Sequence, residues 1–158
     1  LLDTGAHFYD VYECSDGKYI SIGSIEPQFY SELIQKLELD SEKFAHQMDR
    51  TKWPELKDEI AKVVKGKSRD EWDEILAGSD VCYAPVLTVE EATQHPHNVE
   101  RNTFTEVAGL TQPMPAPRLS VTPGTIQRPP AHPGQHTDEI LAEAGMDIES
   151  LRTSGVVA

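Results

Sequence analysis

One carboxylate has a position that could serve chemistry. Glu26, in the run Ile-Glu-Pro-Gln-Phe-Tyr at residues 25–30, follows a predicted strand and precedes a predicted helix. Pro27 comes next, and proline is favoured in the first turn of a helix. A carboxylate is favourable there because the first backbone N–H groups are unpaired and the helix dipole is positive. Position alone therefore predicts a helix-end carboxylate, and the rest of the chain must show whether it does more.

Other familiar chemical patterns are missing from the sequence. His95 and His97 flank a proline, but no third ligand lies at the spacing of a metalloprotease helix, which favours a surface helix end and no metal site. No glycine-rich phosphate loop, no Gly-x-Ser-x-Gly elbow and no Cys–His signature is found. Cys14 and Cys82 lack a neighbouring cation in sequence and are predicted to be packing residues.

Composition narrows the class of protein. The chain has 158 residues and a formal net charge of −13, which disfavours binding to nucleic acid and to anionic membranes. No apolar run is long enough to span a bilayer. Two cysteines are too few for a disulfide framework, so we expect a reduced, cytoplasmic protein. The chain opens at Leu1 without an initiator Met, which suggests a piece of a longer protein.

The segment around Glu26 predicts a strand pair followed by helices. Residues 8–14 and 19–25 are rich in β-branched and aromatic residues and enclose Asp16-Gly17, which predicts a hairpin with a type I′ turn. A helix then starts at Pro27, and its predicted apolar stripe comprises Phe29, Leu33, Ile34 and Leu37. Residues 39–51 form a polar connector.

The remainder predicts more helices, one strand and a long arm. Helices are expected after Thr51 and after the capping box Ser68–Glu71, a strand at 81–87, and a helix from a second capping box, Thr88–Glu91. Residues 112–134 hold most of the 11 prolines and predict an extended arm before a short helix that starts near Thr137. The fold class is α+β, a small antiparallel sheet with packed helices, followed by this arm and C-terminal helices.

Several segments together resemble the class III CoA-transferase family, and specifically its racemases. The resemblance covers nearly the whole chain, and its segments occur in family order. The matching segments are Leu2–Asp10, Tyr12–Gly17, Gly23–Tyr30, Trp53–Glu55, Ser79–Leu87, His97–Arg101, Pro115–Arg118 and His136–Leu141.

The resemblance implies an organisation. Residues 1–104 would form the family's small α+β domain, and residues 105–158 would be an arm and terminal helices that dock on an absent large domain or on a partner subunit. Family members are homodimers of two interlocked subunits. The main CoA-binding segments of the family lie upstream and are absent here, in agreement with the acidity of this chain.

The resemblance also implies a reaction. The family's racemases epimerise 2-methyl-branched acyl-CoA thioesters by removing and returning the proton α to the thioester carbonyl, which needs an acid/base on each face of the intermediate. A His and an Asp of the large domain transfer the proton, and neither has a match here. The Glu of the Ile-Glu-Pro motif, matching Glu26, pairs with that His, so Glu26 is the expected catalytic residue. CoA belongs to the substrate, and we expect no metal and no separate cofactor.

Two alternatives stay open. CoA transferases of the same family move CoA between carboxylic acids through an Asp nucleophile, and many carry an Asn-Asp type sequence where Ile25-Glu26 stands here, which favours the racemase. The chain could also be a non-catalytic dimerisation or binding module. We expect these 158 residues alone to be inactive.

Overall fold

The computed structural model describes residues 1–157 and confirms the α+β class. The chain divides into two compact units, one from Leu1 to Glu91 and the other from Ala92 onward. In chain order its elements are β1 (Tyr9–Glu13), β2 (Tyr19–Gly23), α1 (Pro27–Lys36), α2 (Trp53–Val64), α3 (Arg69–Leu76), β3 (Tyr83–Val86), α4 (Val89–Gln94), α5 (Pro96–Glu100), β4 (Phe104–Val107), β5 (Leu110–Pro113), α6 (Thr137–Glu143) and α7 (Ile148–Thr153).

The first sheet has the order β1-β2-β3, and both of its strand pairs are antiparallel. The predicted hairpin is confirmed, but its turn is not type I′. Cys14 N–H donates to the Lys18 carbonyl at 2.8 Å, so the loop has three residues, and only Gly17 has a positive φ there, at 77°. A type I turn closed by a left-handed glycine is the usual geometry for this loop length.

The core of the first unit lies between the sheet and helices α1–α3. On α1 the buried face contains Leu33 and Ile34 as predicted, but Tyr30 takes the place of Phe29, which is only half-buried. Tyr30 fits because it precedes Leu33 and Ile34 by three and four positions, the spacing of one helix face. The connector also contributes Phe44, which is 1% exposed. The buried apolar residues are Ala6, Phe8, Tyr12, Cys14, Ile20, Ile22, Tyr30, Leu33, Ile34, Leu37, Phe44, Trp53, Leu56, Ile60, Val64, Trp72, Leu76 and Val81.

Both predicted capping boxes are present, and an arginine ties the helices that they open. Ser68 Oγ accepts from Glu71 N–H, and Thr88 Oγ1 accepts from Glu91 N–H at 3.2 Å. The Arg69 side chain, 7% exposed, donates to both Glu91 oxygens at 2.8 Å and to the Val86 carbonyl at 3.0 Å. The bond from Arg69 holds the pKa of Glu91 well below its usual range. Helices α3 and α4 are therefore connected through one bidentate ion pair.

The second compact unit begins at Ala92. The assignment of residues 1–104 to the family's small domain and of residues 105–158 to an arm with terminal helices stays a prediction. Asn98 donates from its side chain to the Ala92 carbonyl at 2.8 Å, and Thr103 N–H donates to the Asn98 carbonyl at 2.9 Å. These local bonds connect the segment after Ala92 to the β4–β5 hairpin, in which Phe104 faces Pro113. The proline-rich segment therefore starts as a paired strand. Its docking on a large domain stays a prediction.

The terminal helices begin where the sequence predicts. Helix α6 starts at Thr137, and Gly145, with φ of 68°, follows it. Arg152 on α7 donates to both Asp138 oxygens, at 2.7 and 2.8 Å, and so connects the two short helices. Among residues 1–157, no helix is both long and apolar enough to cross a membrane.

A buried histidine lies at the centre of the first unit. His7 is 0% exposed, and its Nε2 lies 2.8 Å from the Tyr30 hydroxyl, which donates to the Phe44 carbonyl at 3.0 Å. A hydroxyl has one proton, so Nε2–H of His7 must be the donor toward Tyr30. Nδ1 is buried without a partner among the described residues. Burial lowers the pKa of His7 to about 4.

This burial predicts a loss of stability in mild acid. An unfolded histidine takes up a proton near pH 6.5, whereas folded His7 does so only near pH 4. As the pH falls from 6.5 to 4, the unfolded state binds the extra proton, so the free energy of unfolding falls by up to about 1.4 kcal/mol per pH unit. Urea unfolding of wild type and His7→Gln at pH 7 and pH 5 should show a smaller decrease in the variant.

The exposed histidine His46 provides the control. His46→Gln should keep the decrease seen in wild type. An equal decrease in His7→Gln and wild type between pH 7 and pH 5 would contradict the assignment of that acid sensitivity to His7.

Candidate functional site

Glu26 lies at the predicted junction between strand and helix. It is the N-cap of α1, with extended backbone angles (φ −71°, ψ 142°), and its carbonyl accepts the Tyr30 N–H at 2.9 Å. Its side chain is exposed and does not cap a helix amide. The carboxylate makes no hydrogen bond or ion pair within residues 1–157. Glu26 therefore has the predicted position but does not use its carboxylate as a cap, which leaves that group free to meet another molecule.

The residues before Glu26 are fixed by the sheet and by the segment that enters β3. Ser24 is 0% exposed, and its hydroxyl donates to the Val81 carbonyl at 2.5 Å. Its N–H donates to the Phe8 carbonyl at 3.0 Å, and Gly23 N–H donates to the Cys82 carbonyl at 3.0 Å. The chain thus leaves β2 at one defined point.

The same turn is held from its other side by the connector between α1 and α2. The Gln47 side-chain amide donates to the Ser24 carbonyl at 3.0 Å and to the Ile25 carbonyl at 2.9 Å. The Gln47 carbonyl in turn accepts the Trp53 indole N–H at 2.8 Å. The position of Glu26 is therefore determined by contacts that come from three distant parts of the chain.

Cys82 lies near Glu26 but is not the packing residue that the sequence predicts. It is exposed and has a positive φ of 54°, whereas Cys14 is fully buried as expected. The left-handed backbone at Cys82 also explains why β3 starts at Tyr83 and not at Val81. Partial desolvation, and then the charges of Glu26 and Asp80, raise the pKa of the Cys82 thiol. A thiol that stays protonated is a poor nucleophile.

Two open clefts border the turn. One, of about 200 Å³, is lined by residues that include Tyr9, Gly23 and Cys82. A Cβ on Gly23 would lie 3.4 Å from the Tyr9 ring, so the glycine packs closely against that ring. The other cleft, of about 330 Å³, includes Pro27 and Gln47 in its lining. Both clefts are mostly apolar, and neither provides a set of cations for phosphate groups.

The described residues contain no group of three or more His, Cys, Asp or Glu placed to hold a metal ion. His95 is the half-buried N-cap of α5, and His97 lies exposed on that helix. The two residues therefore occupy a surface helix end, as the sequence predicts.

Comparison with known proteins shows the family to which this chain belongs. The sequence model of CoA-transferase family III matches residues 2–137 of this chain. The chain belongs to this family. Alpha-methylacyl-CoA racemase from Mus musculus is 45% identical, and the human protein of that name is 44% identical, each over 96% of this chain. The chain spans about 40% of the length of these two relatives.

Solved structures of the family share the fold. A CaiB/BaiF family protein from Brucella suis superposes with a TM-score of 0.68 at 20% identity, over 90% of this chain and 39% of that one. At this identity the likeness concerns the fold alone, and it supports the α+β assignment.

The sequence predicts the place of Glu26 but not the residues that fix it. Gln47 and Phe44 fall in the segment interpreted as a polar connector. Phe44 could have been identified as a core residue, because a large aromatic in a polar stretch usually packs inward. Gln47 has no such signal, since its two bonds depend on how the connector folds back toward β2. The catalytic role of Glu26 itself stays a prediction.

The anchoring of this turn predicts a cost for removing the Ser24 hydroxyl. Ser24→Ala leaves the buried Val81 carbonyl without its donor, and an unsatisfied buried group costs about 1–3 kcal/mol. Urea unfolding should show this loss in the free energy of unfolding. Ser31→Ala, at an exposed position of α1, should change it by less than about 0.5 kcal/mol. Equal effects of the two variants would contradict the anchoring role of Ser24.

Proposed function

We propose that this chain is part of an acyl-CoA racemase that epimerises 2-methyl-branched acyl-CoA thioesters. The observation that carries the proposal is the 44–45% identity to two alpha-methylacyl-CoA racemases over 96% of the chain. One base removes the α-proton to give an enolate-like intermediate, and an acid on the opposite face returns a proton there, so the configuration inverts without net loss of atoms.

In this proposal Glu26 acts on the proton-transferring His of the large domain. A carboxylate beside an imidazole orients the ring and favours its protonated form. The exposed carboxylate of Glu26, unpaired within residues 1–157 and held at a fixed turn, suits that role. The His and the Asp that handle the proton would come from the part of the protein that the relatives have and this chain does not match.

The substrate and the assembly follow from the same proposal. The CoA phosphates would be bound mainly outside these residues, since the net charge of −13 opposes them. The protein would act as an interlocked homodimer in the cytoplasm, in fatty acid metabolism. It would need no metal or redox cofactor. The arm and terminal helices would dock on the large domain or on the partner subunit.

Transfer of CoA between two carboxylic acids is the second candidate, because the matching family is described by that activity. Ile25-Glu26 argues against it, since many transferases carry an Asn-Asp type sequence at this place. A purely structural role as a dimerisation module is the third.

Exchange at the α-carbon distinguishes these functions. The full-length protein, incubated with an α-deuterated 2-methylacyl-CoA, should release deuterium while the two epimers equilibrate, because inversion requires loss of the α-proton. NMR of the thioester and chiral separation of the acids give the measurement. CoA transfer to an added acid without release of deuterium would instead establish the transferase. Residues 1–158 alone should show neither activity.

Substitution of the proposed catalytic carboxylate gives a direct test. Glu26→Gln keeps the shape of the side chain but removes the charge that favours the imidazolium, so kcat for epimerisation should fall by about 10²-fold or more. Glu32→Gln, on the same helix, should keep kcat within twofold. Circular dichroism checks that both variants fold. An unchanged kcat in Glu26→Gln would contradict the catalytic role of Glu26 and leave it a structural residue at the start of α1.

A further inference from the structure

The carbonyls of Ser24 and Ile25 immediately precede Glu26, and neither lies inside a strand. Both accept from one side-chain nitrogen, Nε2 of Gln47, at 3.0 and 2.9 Å. A primary amide has two N–H donors, so this nitrogen is fully used, while the Gln47 oxygen could not bond to a carbonyl at all. The contact therefore uses both N–H donors of the Gln47 side-chain amide.

Gln47 is itself held in place. Its carbonyl accepts the indole N–H of Trp53 at 2.8 Å, and Trp53 is 6% exposed at the start of α2. The connector before it is fixed by Phe44, whose carbonyl accepts the Tyr30 hydroxyl at 3.0 Å. Tyr30 lies one helical turn after Glu26. The connector thus contacts both the turn before the carboxylate and the first turn of the helix after it.

We infer that Gln47 is a positioning residue for the Glu26 carboxylate, acting through the backbone of Ser24 and Ile25. This inference rests on the proposed function of Glu26. A displacement of about 1 Å at a catalytic group can cost about a hundredfold in rate, so a residue that fixes the backbone next to Glu26 affects kcat without touching the substrate. Loss of this contact should not alter the binding of the CoA portion of the substrate, because Gln47 acts on the turn before Glu26.

The variant Gln47→Met keeps most of the side-chain length and removes both donors. In the full-length protein, kcat for α-deuterium release should fall about ten- to a hundredfold, while KM stays within about twofold. Gln47→Glu keeps the shape but presents a carboxylate to two carbonyls, so its kcat should fall at least as far. Gln35→Leu, at an exposed position of α1, is the matched control and should keep wild-type kcat.

A double-mutant cycle separates positioning from general loosening of the fold. If Gln47 acts through the Glu26 carboxylate, Gln47→Met should slow the Glu26→Gln enzyme by less than twofold, because the group that it positions is already gone. An unchanged kcat in Gln47→Met, or factors that multiply fully in the double variant, would overturn the inference and leave the proposed function of Glu26 standing.

A measurement on wild type needs neither a variant nor activity. In the chain itself, the two side-chain amide protons of Gln47 are both hydrogen-bonded. They should therefore exchange with solvent at least about tenfold more slowly than the side-chain amide protons of exposed Gln35. Equal exchange rates would overturn the role of Gln47 in holding the turn. Absence of deuterium release by the wild-type protein would overturn the proposed function instead, and the exchange rates would still decide the contact.

Discussion

The first unit depends on one constraint, which is that the backbone groups of the turn at Ser24 and Ile25 must be hydrogen-bonded. Here the chain stops pairing as a strand and has not yet begun to bond as a helix, so its backbone groups need other partners. They find them in Phe8, in the entry to β3 and in Gln47. Segments far apart in sequence must fold before this turn is satisfied. The backbone that carries Glu26 is consequently fixed by contacts from across the unit and not by local sequence alone.

Several basic side chains of this chain form ion pairs within the fold. Several cations of the first unit are occupied within it: Lys43 pairs with Glu59 at 3.0 Å, Lys65 with Glu13 at 2.9 Å, and Arg69 with Glu91. Arg128 and Arg152 of the second unit are likewise paired with carboxylates. These basic side chains therefore serve the fold and are poorly placed to hold a polyanionic ligand. The proposed division of labour, with phosphate binding elsewhere in the protein, agrees with this use of charge.

The elements could be predicted where a short-range rule decides them. The Asp16-Gly17 hairpin, both capping boxes and the helix after Pro27 follow from a few adjacent residues. The predictions were wrong in details that depend on packing, such as the choice of Tyr30 over Phe29 and the exposed, left-handed Cys82. The contacts of His7 and Gln47 could not be predicted at all, since a polar residue shows no periodicity and its partner is chosen by the tertiary fold. The role proposed for Glu26 came from resemblance and not from spacing.

The hydrogen bond between the Trp53 indole and the Gln47 carbonyl makes the fluorescence of Trp53 sensitive to the position of the connector. The chain has two tryptophans, and each indole N–H is fully used: Trp53 donates to the Gln47 carbonyl, and Trp72 donates to the Val64 carbonyl inside the core. Indole emission depends on the polarity and hydrogen bonding around the ring. Both indoles therefore report whether the core is intact, but only that of Trp53 also contacts the connector beside the turn. With Trp72 replaced by phenylalanine, the remaining fluorescence would follow movements at the proposed active-site wall without any added label.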